Sequence, residues 1–316
     1  MSFSNKVREE ISKRKIYNKL EALLELSAIL KTNASISIRN AFFNINFTTE
    51  NPDVSKRIYK LIELIYDYEP TITFSKNDNI QKEGIYTITI EDETIVNALL
   101  NNAGIDVYGD YTINHSTLYQ RLEDESGHKK SAYVRGAFLG AGSIVDPNKN
   151  YHLEIILSKK RDSDFLSMIL TSMQLEPHLN IRKGKYVLYY KSSEKISDFL
   201  AFIGATNSML ELENIKAMKD VRNNVNRQVN CDTANINKTL SASNKYIEQI
   251  NYLVEKNLFN QLDENLKELA IKRIESPDLS LKALGETLEP KLSKSGVSHR
   301  LKKIEEYYNK TQKQNI

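Results

Sequence analysis

The alternation of apolar and polar positions divides this chain into a series of short elements. Apolar residues at helical spacing run from roughly Val7 to Lys31 and predict one amphipathic helix. "SISI" and "FFNINF" follow with a period of two and predict strands. "SKRIYKLIELIYDY" then reads as a helix, "TITFS" and "IYTITI" as strands, and "DETIVNALLNNA" as a helix. After a polar stretch the order begins again. "SAYVRGAFLGAG" is a helix, "SIV" and "YHLEIIL" are strands, and "DFLSMILTSM" is a helix. "HLNIRK" and "YVLYYK" form a hairpin across Lys183-Gly184-Lys185, and "KISDFLAFIG" closes with a helix. Each half reads αββαββα.

Sliding the chain on itself by 108 positions lays "LSAILKTNASI" (Leu26 to Ile36) on "VRGAFLGAGSI" (Val134 to Ile144). The same shift puts Phe43, Ile45 and Phe47 on Tyr151, Leu153 and Ile155. This is a tandem repeat of one α/β unit, related by a pseudo-twofold, with copies at about 1–108 and 109–206. Ala28 falls on Gly136 and Thr32 on Gly140, so small residues recur four apart on one helical face in both copies. Such faces let helix backbones approach closely. A dinucleotide loop would need its glycines after a strand and before a helix, whereas these end a helix and precede a strand. Packing of the two helices on the pseudo-twofold is the expectation.

Composition sets limits on this picture. With 316 residues and 40% hydrophobic positions, the chain can bury more than one domain. Its longest apolar runs fall far short of a membrane span, and "MSFSNKVREEISKRK" lacks the apolar core of an export signal. The lone Cys231 excludes an internal disulfide and a cysteine-cluster zinc site. The histidines at 115, 128, 152, 178 and 299 are scattered, so no metal site and no cofactor is expected. A net charge of +3 is mildly basic and weak evidence by itself.

Helices that end in polar or small residues, each leading into a strand and repeated in one chain, resemble the LAGLIDADG homing endonucleases. Copy one of the motif is "LSAILKTNA" (Leu26 to Ala34), and copy two is "VRGAFLGAG" (Val134 to Gly142). In those nucleases the second Asp of each motif holds divalent metal, and the corresponding positions here are Asn33 and Ala141. An amide is at best a weak ligand and alanine offers no oxygen, whereas Mg²⁺ demands oxygen ligands. Asp146 would lie past the helix end, in a turn with Pro147. The resemblance implies a remnant active site kept as a packing seam. The strands are expected to carry Arg39, Lys159, Lys160, Arg161, Arg182, Lys183, Lys185 and Lys191, as a DNA-binding face or a solvated one.

From 207 to 238 the amides Asn223, Asn224, Asn226, Asn230, Asn235 and Asn237 crowd a stretch with little apolar alternation. It reads as a structured connector in which Asn satisfies irregular backbone, with Arg222, Arg227 and Lys238 as possible additional phosphate contacts. Cys231 has no base nearby and is expected to be packed. The remainder, 239–316, is helical. Within it "LSLKALGETLEPKLSKSGVSHRLKKIEEYY" reads as helix, turn, helix. Ser280 caps Leu281 to Leu288, Glu289-Pro290 breaks the chain, and Ser293 caps a helix to about Tyr308. Val297, Leu301, Ile304 and Tyr308 form its docking stripe. Lys291, Lys294, Arg300, Lys302 and Lys303 lie between Pro290 and Ile304 with no acid among them. That is the pattern of a major-groove reader. Ser295, Ser298, His299 and Lys302 would face bases, while Lys291, Lys294, Arg300 and Lys303 would hold phosphates.

The degenerate repeat, the "VRNNVNRQVNCDTANINKT" stretch and the C-terminal module together resemble the WhiA family, nearly end to end. The resemblance implies an α+β fold, with a catalytically inactive LAGLIDADG-like tandem repeat followed by an all-α helix-turn-helix domain. It also implies a cytoplasmic, nucleoid-associated regulator of transcription, tied to sporulation or cell division and bound to double-stranded DNA. A second transcription regulator or a component of RNA polymerase would be its protein partner. A metal-dependent endonuclease and a scaffold that binds no nucleic acid are the alternatives.

Overall fold

The first helical pattern folds as two helices, α1 (Phe3–Ser12) and α2 (Lys19–Asn33), rather than one. The break has a local cause. The Asn18 side chain accepts from the Glu21 N–H at 2.8 Å and donates to the Glu21 carboxylate at 3.0 Å, which starts a new helix. The computed structural model describes residues 2–39, 42–76, 84–105, 115–123 and 127–314. The repeat boundary read at 108/109 lies outside these residues.

After α2 the chain runs through β1 (Ala34–Arg39), β2 (Phe42–Thr49), α3 (Pro52–Tyr66), β3 (Thr71–Ser75), β4 (Ile85–Ile90) and α4 (Glu93–Asn102). A short helix, α5 (His115–Leu122), forms in the stretch whose polarity had hidden it. The second copy is α6 (His128–Ala141), β5 (Gly142–Ile144), β6 (Leu153–Leu157), α7 (Lys160–Ser172), β7 (His178–Arg182), β8 (Lys185–Tyr190) and α8 (Ser193–Ile203). The sheets have the same antiparallel topology, β1-β2-β4-β3 and β5-β6-β8-β7. In the first, Ile45 lies opposite Ile36 and Ile90, and Phe47 opposite Ile88, so alternate side chains face the helices. Ile155 takes the equivalent place in the second, opposite Gly142 and Leu188. Both copies feed one core. In the β7–β8 hairpin Lys183 and Gly184 have φ of 52° and 74°, the pair of left-handed residues that a tight hairpin turn requires.

The stretch read as a structured connector has no irregular backbone for its amides to satisfy, because it is part of one helix, α9 (Thr206–Glu255), 50 residues long. Its amides cap nothing, because no helix end lies among them. The chain divides into compact units at Lys219/Asp220, within α9. In the second unit α9 is followed by α10 (Glu264–Glu275), α11 (Leu281–Glu286) and α12 (Lys294–Gln314). Ile250, Leu253, Leu266, Leu269, Leu284, Val297, Leu301 and Ile304 make its core. The last helix continues past Tyr308, because nothing between Tyr308 and Gln314 breaks it.

Candidate nucleic-acid interface

At the pseudo-twofold, α2 and α6 touch backbone to backbone. A Cβ added to Gly136 would lie 2.1 Å from the Glu25 carbonyl oxygen and 3.0 Å from the Ala28 Cβ. One added to Gly140 would lie 1.9 Å from the Thr32 Oγ1. Both glycines are therefore fixed by close approach, and the small-residue seam is a packing device. Beside it lies an ion cluster that sequence reading missed. The buried Glu25 carboxylate accepts from Arg57 Nε at 2.7 Å, Arg57 Nη2 at 2.9 Å and Arg135 Nε at 2.9 Å. Burial alone would raise the Glu25 pKa, but the guanidiniums of Arg135 and Arg57 outweigh it and hold the carboxyl below its ordinary range.

The residues at the two motif ends do not fit a divalent ion. The Asn33 Nδ2 donates to the Gly140 carbonyl at 3.2 Å, and its Oδ1 accepts from the Thr48 N–H at 3.1 Å. An N–H thus stands where a cation would have to bridge two oxygens. Ala141 is half-buried and packed against the core. Asp146 accepts from the backbone and side chain of Asn148 at 2.9 and 3.1 Å, and these bonds lower its pKa. It closes a local turn. Among the described residues no group of three or more His, Cys, Asp or Glu could hold a metal.

The cations expected on the sheets are distributed differently. Lys160 and Arg161 begin α7, with Lys159 as its N-cap, and Lys160 pairs with Asp164 at 2.6 Å. Arg182 reaches Glu154 at 3.4 Å, and the Lys191 ammonium lies 5.3 Å from the Tyr189 ring centre. Lys183 is in the turn and Lys185 begins β8. Arg39 ends β1.

In the second unit the helix-turn-helix is built from short-range bonds. Ser280 Oγ accepts from the Ala283 N–H at 3.2 Å, and Ser293 Oγ accepts from the Gly296 N–H at 3.3 Å, so both predicted caps form. Leu281 to Glu286 is helical, and the chain turns before the predicted end at Leu288. The Leu292 N–H donates to the Gly285 carbonyl at 2.9 Å, and a Cβ on Gly285 would lie 2.1 Å from the Leu292 oxygen. The turn therefore rests directly on α11. Val297, Leu301 and Ile304 are fully buried and Tyr308 half-buried, which sets the rotation of α12. That rotation leaves Lys294, Ser295, Ser298, His299, Lys302 and Lys303 exposed, with Lys291 exposed in the turn before them.

Two arginines of this unit make contacts that the sequence did not announce. Arg300 is half-buried and donates to the Asn265 carbonyl at 3.3 Å, which draws it towards α10. Arg273 is buried, donates to the Leu279 carbonyl at 2.8 Å and lies 3.4 Å from Ser243 Oγ. Burial lowers its pKa against the pull of Asp278 and Tyr246. It holds the loop into α11 in place. A signal was present in the sequence, because Arg273 continues the apolar stripe of Leu266, Leu269 and Ala270 at helical spacing.

Arg222, Arg227 and Lys238 lie on α9 in a run where every residue from 221 to 238 is exposed. Cys231 is exposed there too, contrary to the packed position expected of it, because no neighbouring element covers this part of the helix among the described residues. No helix among the described residues is long and apolar enough to cross a membrane.

Comparison with known proteins agrees with this geometry. Three family models match in order: the WhiA N-terminal LAGLIDADG-like domain over residues 19–106, the WhiA LAGLIDADG-like domain over 130–222, and the WhiA C-terminal HTH domain over 225–308. A Clostridium botulinum (strain Hall) relative, named "Probable cell division protein WhiA", is 41% identical over 311 residues, 96% of this chain and 97% of the relative. A relative of the same name from Clostridium acetobutylicum is 39% identical over 307 residues, 96% of each. The crystal structure of full-length DUF199/WhiA from Thermatoga maritima matches with a TM-score of 0.60 at 23% identity, covering 98% of this chain and 99% of that one. The fold is shared.

Proposed function

The chain belongs to the WhiA family, and from that premise we propose that it is a sequence-specific DNA-binding transcription regulator, linked to cell division or sporulation, that does not cleave DNA. The observation that carries this reading is the exposed side of α12, where lysines, serines and a histidine stand without an acid between Pro290 and Ile304. An α-helix fits the major groove, and its exposed side chains then meet base edges. Ser295, Ser298, His299 and Lys302, all exposed, contact the bases in this reading. Lys291, Lys294 and Lys303 serve the phosphates, together with any donor that Arg300 does not give to Asn265. Arg222, Arg227 and Lys238 add phosphate contacts along α9. The junction of α2 and α6 supplies structure and no hydrolysis, since Asn33 is committed to Gly140 and Thr48, and Ala141 has no ligand atom.

Phosphate contacts set affinity through counterion release, so their removal has a defined signature. Lys302→Ala/Lys303→Ala removes one base contact and one phosphate contact, and is expected to weaken binding to a promoter fragment about 10- to 100-fold at physiological salt and to flatten the plot of log affinity against log salt by roughly 1. Fluorescence anisotropy between 50 and 300 mM salt, as approximate limits, reads both quantities. A double variant with wild-type affinity and slope would remove α12 from the interface.

A further inference from the structure

The long exposed run of α9 raises a separate problem. Asn is a poorer helix former than Ala, yet this helix carries Asn223, Asn224, Asn226, Asn230, Asn235 and Asn237 in its exposed part. Among the described residues the side chains of Asn223, Asn226, Asn230 and Asn237 make no hydrogen bond to the protein; that of Asn235 reaches only Cys231 Sγ, at 3.7 Å. The amides therefore do nothing visible for the fold.

Their positions are ordered. At about 100° per residue, Asn223, Asn226, Asn230 and Asn237 fall within roughly 60° of one another. Arg222 and Arg227 flank that strip on either side. Val221, Val225, Val229 and Ile236 take a separate face, while Asn224 and Asn235 lie off the strip. A lysine- and asparagine-rich composition alone would scatter amides around the helix. Instead four of the six amides share one strip, with a guanidinium at each margin and the apolar residues outside it.

An amide presents a donor and an acceptor side by side, which is the complement of the N6 and N7 edge of adenine in the major groove. Arg222 and Arg227 on the two margins match the phosphates of the groove walls. The stretch holds Arg222, Arg227 and Lys238 against Asp220 and Asp232. So weak an excess of positive charge suits recognition of bases more than bulk attraction to phosphate. We propose that the exposed part of α9 is a second base-reading helix for double-stranded DNA, in which Asn223, Asn226, Asn230 and Asn237 contact adenine edges while Arg222 and Arg227 hold the flanking phosphates. This rests on the reading of the chain as a DNA-binding regulator and adds residues that determine its sequence preference.

The test uses the full chain and a pool of random duplexes of about 40 base pairs, long enough to present several turns of major groove. Preferred sequences are selected with wild type, with Asn226→Ala/Asn230→Ala and with Lys302→Ala/Lys303→Ala. Affinities are then measured for the selected duplex and for a scrambled one. Alanine favours helix, so the amide variant keeps α9 folded, which circular dichroism checks. The expected result is a loss of about 10- to 100-fold in the ratio of specific to scrambled affinity for the amide variant. Adenine positions should relax in its selected site, while affinity for the scrambled duplex and the salt slope stay unchanged. An unchanged selected site and ratio in the amide variant would overturn the inference while the lysine variant still reported on α12. Absence of DNA binding by wild type would overturn both readings.

Discussion

Glu25→Ala is expected to destabilise the first unit by about 3–5 kcal/mol, because it leaves two buried guanidiniums without their shared anion. Glu25 is 1% exposed, and Arg57 and Arg135 are nearly as buried. Each carboxylate oxygen is occupied, one by Arg57 Nε and the other by Arg57 Nη2 and Arg135 Nε. The remaining Arg57 nitrogen donates to the Arg14 carbonyl, so the segment after α1 meets α2, α3 and α6 through this cluster. Urea denaturation of the full chain should show the loss as an early transition. The effect has a pH signature. The folded pKa of Glu25 lies below its ordinary 4.5, so its stabilisation is present above that value and is lost as pH falls through the folded pKa. The gap between wild type and variant should therefore be widest near neutrality and narrow below about pH 4.5. A constant gap down to strong acid would mean that the cluster contributes through packing alone.

Leu301→Ala is expected to cost the second unit about 2–5 kcal/mol, the range for a fully buried leucine whose site collapses only in part. Leu301 has no exposure and lies in the core with Leu284, Val297 and Ile304. Its loss frees α12 from the element that fixes its rotation, so DNA affinity should fall with stability although no DNA contact is removed. Hydrogen exchange of the α12 amides in the full chain distinguishes the two effects. Faster exchange across Lys294 to Tyr308 is the expected result, while unchanged exchange with weakened binding would place Leu301 at the interface itself.

Much of this was legible in the sequence, for physical reasons that differ between elements. Period-two strands and the 108-residue shift revealed the repeat, because Ile45 and its counterpart Leu153 must face a core in both copies. Gly136 and Gly140 could be read as a seam, since small residues recurred at Ala28 and Thr32. The caps at Ser280 and Ser293 were local and formed as expected. What escaped was either a competing local signal or a long-range pairing. The Asn18 N-cap, paired with Glu21, split a helix that apolar spacing had joined. The amides between Asn223 and Asn237 suggested irregular backbone, yet no glycine or proline interrupts the helix there. Glu25, Arg57 and Arg135 lie far apart in sequence, so each looked like an ordinary surface charge until the fold brought them together. Nothing local announces that Arg300 reaches the Asn265 carbonyl.

The central claim, a DNA-binding regulator built on a nuclease fold that does not cut, is tested most directly by one salt-titrated binding experiment with Mg²⁺ present. The DNA would be genomic fragments that include the protein's own promoter region, recovered afterwards and examined for strand breaks. Saturable binding that falls steeply with salt, with every recovered fragment intact, is the predicted result. Mg²⁺-dependent cleavage would contradict it, and would mean that groups other than Asn33 and Ala141 hold a metal.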